Sequence, residues 1–203
     1  MISHTSLVTH LRNQGVLESA SLERAFSEVD RMDFILPEYA PQAYGDYPLP
    51  IGYGQTISQP FTVAFMLNLL DIRPGQSVLD IGSGSGWTTA LAACQTGPEG
   101  RVLGMERVPE LLILGTANLG KYEYSWAQIT RAGLELGNPG CSYDRILVSA
   151  AAPQFPDDLV GQLNTGGILV IPVRHSIWKI SRLEGERAEL EEHFGFSFVP
   201  LIY

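Results

Sequence analysis

From residue 77 to residue 173 the sequence alternates short apolar runs with segments of helical periodicity. Short apolar runs bounded by turn residues are typical of strands buried on both faces, and the segments between them predict covering helices. Strands joined through helices pair in parallel, so the pattern predicts an α/β fold with a mostly parallel, doubly wound sheet. The predicted strands are residues 77–81, 101–105, 127–130, 143–149 and 167–173, and the predicted helices are residues 87–95, 109–122 and 157–163.

The chain on either side of this alternation has a different character. Apolar residues at helical spacing between residues 5 and 30, broken near residues 13–15, predict two helices. Residues 31–60 are rich in proline and glycine but also in aromatic residues, which favours an ordered, irregular cap over a linker. A helix is predicted at residues 61–70. Residues 177–203 are expected to add strands, joined near residues 184–185, at the sheet edge.

Length and composition limit the classes of protein to consider. With 203 residues, of which 45% are hydrophobic, we expect one domain over residues 1–203, divided into a cap at residues 1–60 and an α/β core at residues 61–203. A net charge of −9 without clustered Lys or Arg argues against nucleic-acid binding. No apolar run is long enough to span a bilayer, and the first residues do not resemble a secretory signal, so no membrane association is expected.

Two cysteines, Cys94 and Cys141, are too few for a disulfide scaffold and lack the spacing of a zinc site. We therefore expect no metal site and a reducing, cytoplasmic environment. The sequence contains no signal for an oligomeric state.

Three glycines at alternate positions, Gly82, Gly84 and Gly86, connect the strand at residues 77–81 to its helix. Backbone without Cβ atoms lets a ligand approach closely, and open α/β sheets bind ligands at the carboxyl ends of their strands. The G-x-G-x-G spacing differs from the G-x-G-x-x-G of pyrophosphate sites, and a carboxylate at Asp80 would repel phosphate. The loop therefore predicts a ligand with a cationic ammonium group and no phosphate, such as the methionine end of S-adenosylmethionine. The alternative is a plain strand-to-helix turn capped by Asp80.

A second acid, Glu106, ends the next predicted strand. A carboxylate at this position in nucleotide-binding folds accepts the ribose hydroxyls, so we expect the same role here. The alternative is a solvated glutamate at a strand end.

Three separated blocks resemble protein-L-isoaspartate O-methyltransferases, and the resemblance extends from about residue 31 to the end of the chain. The most distinctive block reads PLPIGYGQTISQP. The blocks are residues 48–60 with residues 31–34 and Tyr44, residues 143–146 with residues 150–153, and residues 162–167.

The resemblance implies a Rossmann-like methyltransferase fold that uses S-adenosylmethionine, leaves S-adenosylhomocysteine and acts on isoaspartyl-containing peptides and proteins. The methyl group would pass to the free isoaspartyl carboxylate, and the ester would then cyclise to a succinimide that can reopen to normal aspartate. Because the nucleophile is already ionised, no general base is expected. Ser58 would hold the carboxylate. A Ser at this position could also be the N-cap of the helix at residues 61–70, and the two roles are compatible.

The resemblance also implies the site residues. Ser58 would be the catalytic residue, and Ser58, Ala150 and Ala151 would contact the substrate. The expected cofactor-binding residues are Gln55, Thr56, Ile57, Asp80, Gly82, Ser83, Gly84, Ser85, Gly86, Glu106, Arg107, Ala132 and Gly133.

One departure from the family pattern concerns adenine recognition. The family has an acid between two glycines after the third strand, and here Ala132 takes its place. Two consequences are open: the affinity for the cofactor is lower by the loss of one hydrogen bond, or backbone groups and Arg107 recognise the base instead. A second oddity is Gly115, which lies inside a predicted helix at a cost of about 1 kcal/mol relative to Ala.

Three alternatives stay open. The first is a methyltransferase of the same fold that acts on another carboxylate or on a small molecule. The second is a weakly active or non-catalytic homologue, which the loss of the acid at Ala132 suggests. A dehydrogenase ranks last because of the glycine spacing.

Overall fold

Seven strands form a mixed sheet in the computed structural model, which describes residues 3–155, 157–185 and 187–201. The helices are α1 His4–Asn13, α2 Ala20–Glu28, α3 Pro60–Leu70, α4 Trp87–Thr96, α5 Pro109–Leu119 and α6 Asp157–Val160. The strands are β1 Leu49–Gly52, β2 Gln55–Ile57, β3 Ser77–Ile81, β4 Arg101–Glu106, β5 Ala127–Arg131, β6 Tyr143–Val148, β7 Leu163–Val173, β8 Ser176–Arg182 and β9 Ala188–Phe194.

The large sheet has the order β5-β4-β3-β6-β7-β8-β9. Strands β3 to β7 pair in parallel, whereas β8 and β9 are added antiparallel at one edge. This arrangement confirms the predicted α/β fold with a mostly parallel, doubly wound sheet. The chain first builds the sheet outward from β3 through β4 and β5, and then returns to place β6 on the other side of β3. The reversal leaves a crevice at the carboxyl ends of β3 and β6, where such sheets bind ligands.

The cap consists of α1 and α2, two 3₁₀ helices (Arg31–Phe34 and Pro37–Gln42) and the antiparallel hairpin β1–β2. Ser side chains at positions 3 and 19 cap the two α-helices by accepting hydrogen bonds from backbone N–H groups in their first turns. The hairpin was not predicted, because the prolines of this region concealed its strands. Buried residues of the cap and the sheet share one apolar core. This shared core supports the prediction of one domain, which stays a prediction.

Two predicted helices end earlier than expected. Helix α5 ends at Leu119, before Gly120. Helix α6 ends at Val160, because the Gln162 side chain turns inward and Leu163 already pairs with Tyr143 of β6.

Among the residues that the structure describes, no helix combines the length and the apolar composition needed to cross a bilayer.

Candidate active site

A crevice of about 370 Å³ opens at the carboxyl ends of the parallel strands, within the usual size range of small-molecule sites. Its walls are the glycine loop after β3, the hairpin β1–β2, the segments that follow β4, β5 and β6, and residues 199–201. Most of the residues predicted from the sequence line it. They are Gln55, Thr56, Ile57, Ser58, Gly82, Ser83, Gly84, Ser85, Glu106, Arg107, Ala132, Gly133 and Ala150.

Three predicted site residues lie behind the crevice wall instead of on it: Asp80, Gly86 and Ala151. Direct contact of these three residues with a ligand therefore stays a prediction, and the structure places them behind the wall. Gly86 faces α5, and Asp80 is completely buried under α4. The backbone of Ala151 is already paired, since its N–H donates to the Val199 carbonyl at 2.8 Å and its carbonyl accepts from the Leu201 N–H at 2.9 Å.

Four N–H groups of the glycine loop, those of Gly82, Ser83, Gly84 and Gly86, are bonded within the protein. Those of Gly82 and Ser83 both donate to the Met105 carbonyl, at 2.9 and 3.1 Å. The Gly84 N–H donates to Oε2 of Glu106 at 2.8 Å. A pyrophosphate site needs free N–H groups at this position, and these bonds leave few of them in the loop.

Glu106 fixes the turn after β4 as well as the glycine loop. Its Oε1 accepts from the N–H groups of Arg107 and Val108, at 2.8 and 2.9 Å. The side chain is buried, yet it lines the crevice. Because Oε2 accepts one hydrogen bond in this network and an ionised oxygen can accept more, it retains capacity for a ligand hydroxyl.

Helix α5 supports the glycine loop from behind, and this explains Gly115. A Cβ atom at Gly115 would lie 2.7 Å from the Gly84 carbonyl oxygen, and one at Gly86 would lie 2.8 Å from the Gly115 oxygen. Asn118, one turn further along α5, donates to the Ser85 carbonyl at 3.1 Å. The glycine in the helix is therefore required by the close approach of α5 to the loop.

Asp80 holds the first turn of α4. Its Oδ2 accepts from the hydroxyls of Thr88 and Thr89, at 2.7 and 2.6 Å, while Oδ1 has no partner among the described residues. Burial raises the pKa of Asp80 to about 6, against the opposing effect of the two threonine bonds and with a further increase from Glu106. Its charge thus lies directly behind the wall that Thr88 contributes to.

Ser58 is not the N-cap of α3. The N-cap is Gln59, and the free N–H of Phe61 in the first turn donates to Oδ1 of Asp46 at 2.8 Å. The Ser58 hydroxyl has no hydrogen-bond partner in the described part of the chain, and the residue is half-buried in the crevice wall. The alternative role as a cap is therefore wrong, and the hydroxyl is free for a ligand.

Two further polar atoms of the wall are buried without a partner among the described residues: the Ser83 hydroxyl and Nε1 of Trp87. Buried polar groups are rarely left unpaired in native proteins, so an ordered water or a ligand in the crevice is expected to pair with these two atoms.

Sequence reasoning missed several lining residues. Most are apolar side chains whose place in the wall depends on long-range packing, and residues 199–201 arrive through pairing with Ala151 that has no local signal. The missed residues are Ile51, Val63, Ile81, Trp87, Thr88, Met105, Val108, Pro109, Leu111, Glu135, Leu136, Gly137, Ser149, Val199, Pro200 and Leu201.

Glu135 is the only one of these missed residues with an ionisable side chain, and it follows β5 three positions after Ala132. The adjoining loop is held by the buried Gln162. Its Oε1 accepts from the Asn138 N–H at 2.7 Å, and its Nε2 donates to the Leu136 carbonyl at 2.9 Å. This end of the crevice therefore has a fixed backbone and a carboxylate.

The chain is similar to known methyltransferases over nearly its whole length. A family model described as protein-L-isoaspartate(D-aspartate) O-methyltransferase matches residues 2–203. A protein-L-isoaspartate O-methyltransferase from Methanopyrus kandleri is 42% identical over 202 residues, which cover 97% of this chain and 89% of the relative. One from Aeropyrum pernix is 46% identical over 202 residues, which cover 97% of this chain and 78% of the relative.

A solved structure agrees in fold as well. It is a protein-L-isoaspartate O-methyltransferase from Plasmodium falciparum in complex with S-adenosyl-L-homocysteine, with a TM-score of 0.87, 26% sequence identity, and coverage of 98% of both chains.

Proposed function

The chain belongs to the protein-L-isoaspartate(D-aspartate) O-methyltransferase family, and we propose that the crevice is its active site, in which Ser58 holds the isoaspartyl carboxylate for methylation. The enzyme depends on S-adenosylmethionine. The assignment of the site depends on the glycine loop. Its backbone has no Cβ atoms at three positions, most of its N–H groups are bonded within the protein, and the Glu106 carboxylate lies beside it.

The residues of the crevice fit this cofactor. Gly82 has open space where a Cβ atom would stand, with a φ of +76° that side chains rarely adopt, so a ligand can lie against the main chain. Glu106 has an oxygen for a ribose hydroxyl, and the unpaired Ser83 hydroxyl and Trp87 Nε1 can bind polar groups of the methionine part. Most N–H groups of the loop are already bonded within the protein and cannot bind a pyrophosphate, which argues against the dehydrogenase alternative.

We assign the adenine end to the segment after β5. Ala132 contributes no carboxylate, but Glu135 lines the same wall and can accept a hydrogen bond from the adenine amino group. This compensation would preserve cofactor binding and argues against the non-catalytic alternative.

Methyl transfer at the methionine end of the cofactor requires that the substrate carboxylate is positioned and that water is excluded. When bound, S-adenosylmethionine supplies a sulfonium methyl group, so that an O–CH₃ bond forms as the S–CH₃ bond breaks. The isoaspartyl carboxylate is ionised at neutral pH and needs no base, and the described lining residues include no His, Lys or Cys. The free Ser58 hydroxyl donates a hydrogen bond that orients the carboxylate, while Ile51, Ile57 and Val63 keep the surroundings apolar.

The substrate backbone would lie against Ala150 and the chain end. Ala150 lines the crevice, whereas the backbone groups of Ala151 are bonded to residues 199 and 201. We therefore assign direct contact to Ala150 and to Val199–Leu201, and a supporting role to Ala151. The methyl ester then cyclises without the enzyme, which begins repair of the damaged protein.

The partners are isoaspartyl-containing proteins and peptides, and we propose the cytoplasm as the location. The free thiols of Cys94, which is buried, and Cys141, which is exposed, support a reducing compartment.

The test is transfer of a labelled methyl group to an isoaspartyl peptide, measured beside the aspartyl peptide of the same sequence and a panel of small carboxylic acids. We expect label in the isoaspartyl peptide alone. Equal labelling of the aspartyl peptide, or labelling of a small acid in preference to both peptides, would support the alternative of another carboxylate substrate.

A further inference from the structure

Arg31 is a fully buried cation without an acidic partner. Only 1% of the residue is exposed, and none of the ion pairs among the described residues involves it. Burial lowers the pKa of Arg31 to about 10, with Asp46 and Tyr47 opposing the change, so the group stays charged at neutral pH. Removing a cation from water is costly unless hydrogen bonds replace the lost hydration.

Four main-chain carbonyls provide those bonds. Nη1 donates to the carbonyl oxygens of Ala43 and Gly45, both at 2.9 Å. Nη2 donates to those of Tyr47 and Ser58, at 2.9 and 3.1 Å. These carbonyls lie outside the regular strands and helices, and the planar fork of a guanidinium can bond all four at once.

The guanidinium also lies over Trp87, with its central carbon 5.4 Å from the ring centroid. Trp87 opens α4 and lines the crevice. Arg31 is therefore packed between the cap and a wall of the site, although it does not line the crevice itself.

The chain is anchored on both sides of Ser58 by other contacts. Ile57 pairs with Leu49 in the hairpin, and Asp46 caps the first turn of α3 beyond Gln59. Among the described residues, Arg31 is the one whose side chain forms a hydrogen bond with the Ser58 main chain between these anchors. We propose that Arg31 is a positioning residue, which fixes the Ser58 main chain so that its hydroxyl meets the substrate carboxylate. This inference rests on the role proposed above for Ser58.

A double-mutant cycle tests the inference. The variants are Arg31→Lys, Ser58→Ala and their combination, assayed for kcat and KM with an isoaspartyl peptide at saturating S-adenosylmethionine. Lys keeps the charge but cannot bond four carbonyls on two sides. Ser58→Ala should lower kcat/KM by about tenfold or more in the wild-type background but by less than about twofold beside Arg31→Lys, because contacting groups act non-additively.

Arg145→Lys is the matched control. Arg145 is also buried and donates to two main-chain carbonyls, those of Asp71 and Asp144, at 3.0 and 2.8 Å, but it lies near the amino end of β6, away from the crevice. We expect this variant to lose thermal stability while its kcat/KM stays within about twofold of wild type, since it leaves the site intact. Arg31→Lys should lower kcat/KM by about tenfold, with the Kd for S-adenosylhomocysteine within about threefold of wild type.

The outcomes separate the two proposals. If Ser58→Ala has no effect in the wild-type background, the role of Ser58 itself is wrong. If it lowers kcat/KM by the same factor in both backgrounds, Ser58 acts but Arg31 does not position it. An Arg31→Lys variant that loses only stability, like Arg145→Lys, also overturns the inference. Should Arg31→Lys not fold, Arg31→Gln replaces it in the same cycle, because its amide retains two N–H donors.

Discussion

The amino and carboxyl ends of strands β3 and β6 carry similar polar residues. Both oxygens of the aspartate accept hydrogen bonds at the amino end, but only one does at the carboxyl end. At the amino end, Oδ2 of Asp144 accepts from the N–H and the hydroxyl of Ser77, both at 2.8 Å, and Oδ1 accepts from Asn164 at 2.8 Å. At the carboxyl end, Asp80 has two bonds to one oxygen and none to the other among the described residues. The Ser83 hydroxyl beside it is also unpaired.

The pKa values of the two aspartates shift in opposite directions, in line with these hydrogen bonds. Burial raises the pKa of Asp80 to about 6 despite its threonine partners. Burial also acts to raise the pKa of Asp144, but the hydrogen bonds from Ser77 and Asn164 outweigh it and lower the pKa below its ordinary value. The amino end therefore stabilises the fold, whereas the carboxyl end holds a buried carboxylate that lowers stability behind the crevice wall.

The largest expected effect comes from a pair of glycine variants on either side of β3. Gly84→Val should abolish measurable binding of S-adenosylhomocysteine in a calorimetric titration. A Cβ atom at this position, where φ is +53°, would lie 3.2 Å from the Ile51 Cδ1, and the β-branched side chain would enter the crevice wall. Gly75 has a φ of +81° and open space around it. Gly75→Val should bind normally, although both variants carry about 1–3 kcal/mol of backbone strain. Equal binding by both would show that the loop is not the cofactor site.

The second largest effect is expected from alanine variants of two serines, one at each end of β3. Ser58→Ala should lower kcat/KM for the isoaspartyl peptide by about 10- to 100-fold, since a hydrogen bond to a charged group is worth about 1.5–3 kcal/mol. Ser77→Ala removes the hydroxyl that bonds Asp144, and should cost about 1 kcal/mol of unfolding free energy with unchanged kinetics. Steady-state kinetics and urea denaturation measure the two effects. A Ser58→Ala enzyme as active as wild type would contradict the proposed role.

The two aspartates should change stability with opposite dependence on pH. Because the folded-state pKa of Asp80 is raised, its carboxyl destabilises the fold as pH rises from about 4 to about 6. Asp80→Asn should therefore be more stable than wild type at pH 7 by roughly 1–2 kcal/mol, with the gain vanishing near pH 4. Urea denaturation across this range measures it.

Asp144→Asn should show the reverse sign. A lowered pKa contributes stability above the ordinary value of the carboxyl, and this contribution is lost as pH falls below it. The variant should be less stable than wild type at pH 7, with the difference shrinking under acid conditions. The same sign for both variants would refute the contrast between the two ends.

The smallest effect concerns the two glutamates around β5. Glu135→Gln should raise the Kd for S-adenosylhomocysteine about threefold, because the amide forms a weaker hydrogen bond to the adenine amino group than the carboxylate does. Glu123 is exposed just before β5, and Glu123→Gln should leave the Kd unchanged. An unaltered Kd in Glu135→Gln would assign adenine recognition to backbone groups or to Arg107.

The sequence was most informative where periodicity and local rules act together. The parallel strands and the helices between them could be predicted because apolar periodicity is local, and β3 was predicted with its observed bounds. The glycine loop and Glu106 reach the same crevice because the carboxyl ends of parallel strands share one edge.

Features that depend on long-range packing were not predictable. The sequence did not show that Asp80 would be buried behind the crevice wall, where its carboxylate accepts hydrogen bonds from two threonine hydroxyls of α4. Gly115 looked unfavourable because the loop that packs against it is distant in sequence. Residues 199–201 enter the site only through the pairing with Ala151, and Arg31 carried no signal of the four carbonyls that surround it.

A crystal soaked with S-adenosylhomocysteine tests the central claim most directly, that the carboxyl-end crevice binds a phosphate-free adenosine. We predict density for the amino-acid part along Gly82, for the ribose beside Glu106 and for the adenine between Ala132 and Glu135. An empty crevice, or the ligand bound elsewhere on the protein, would contradict the account.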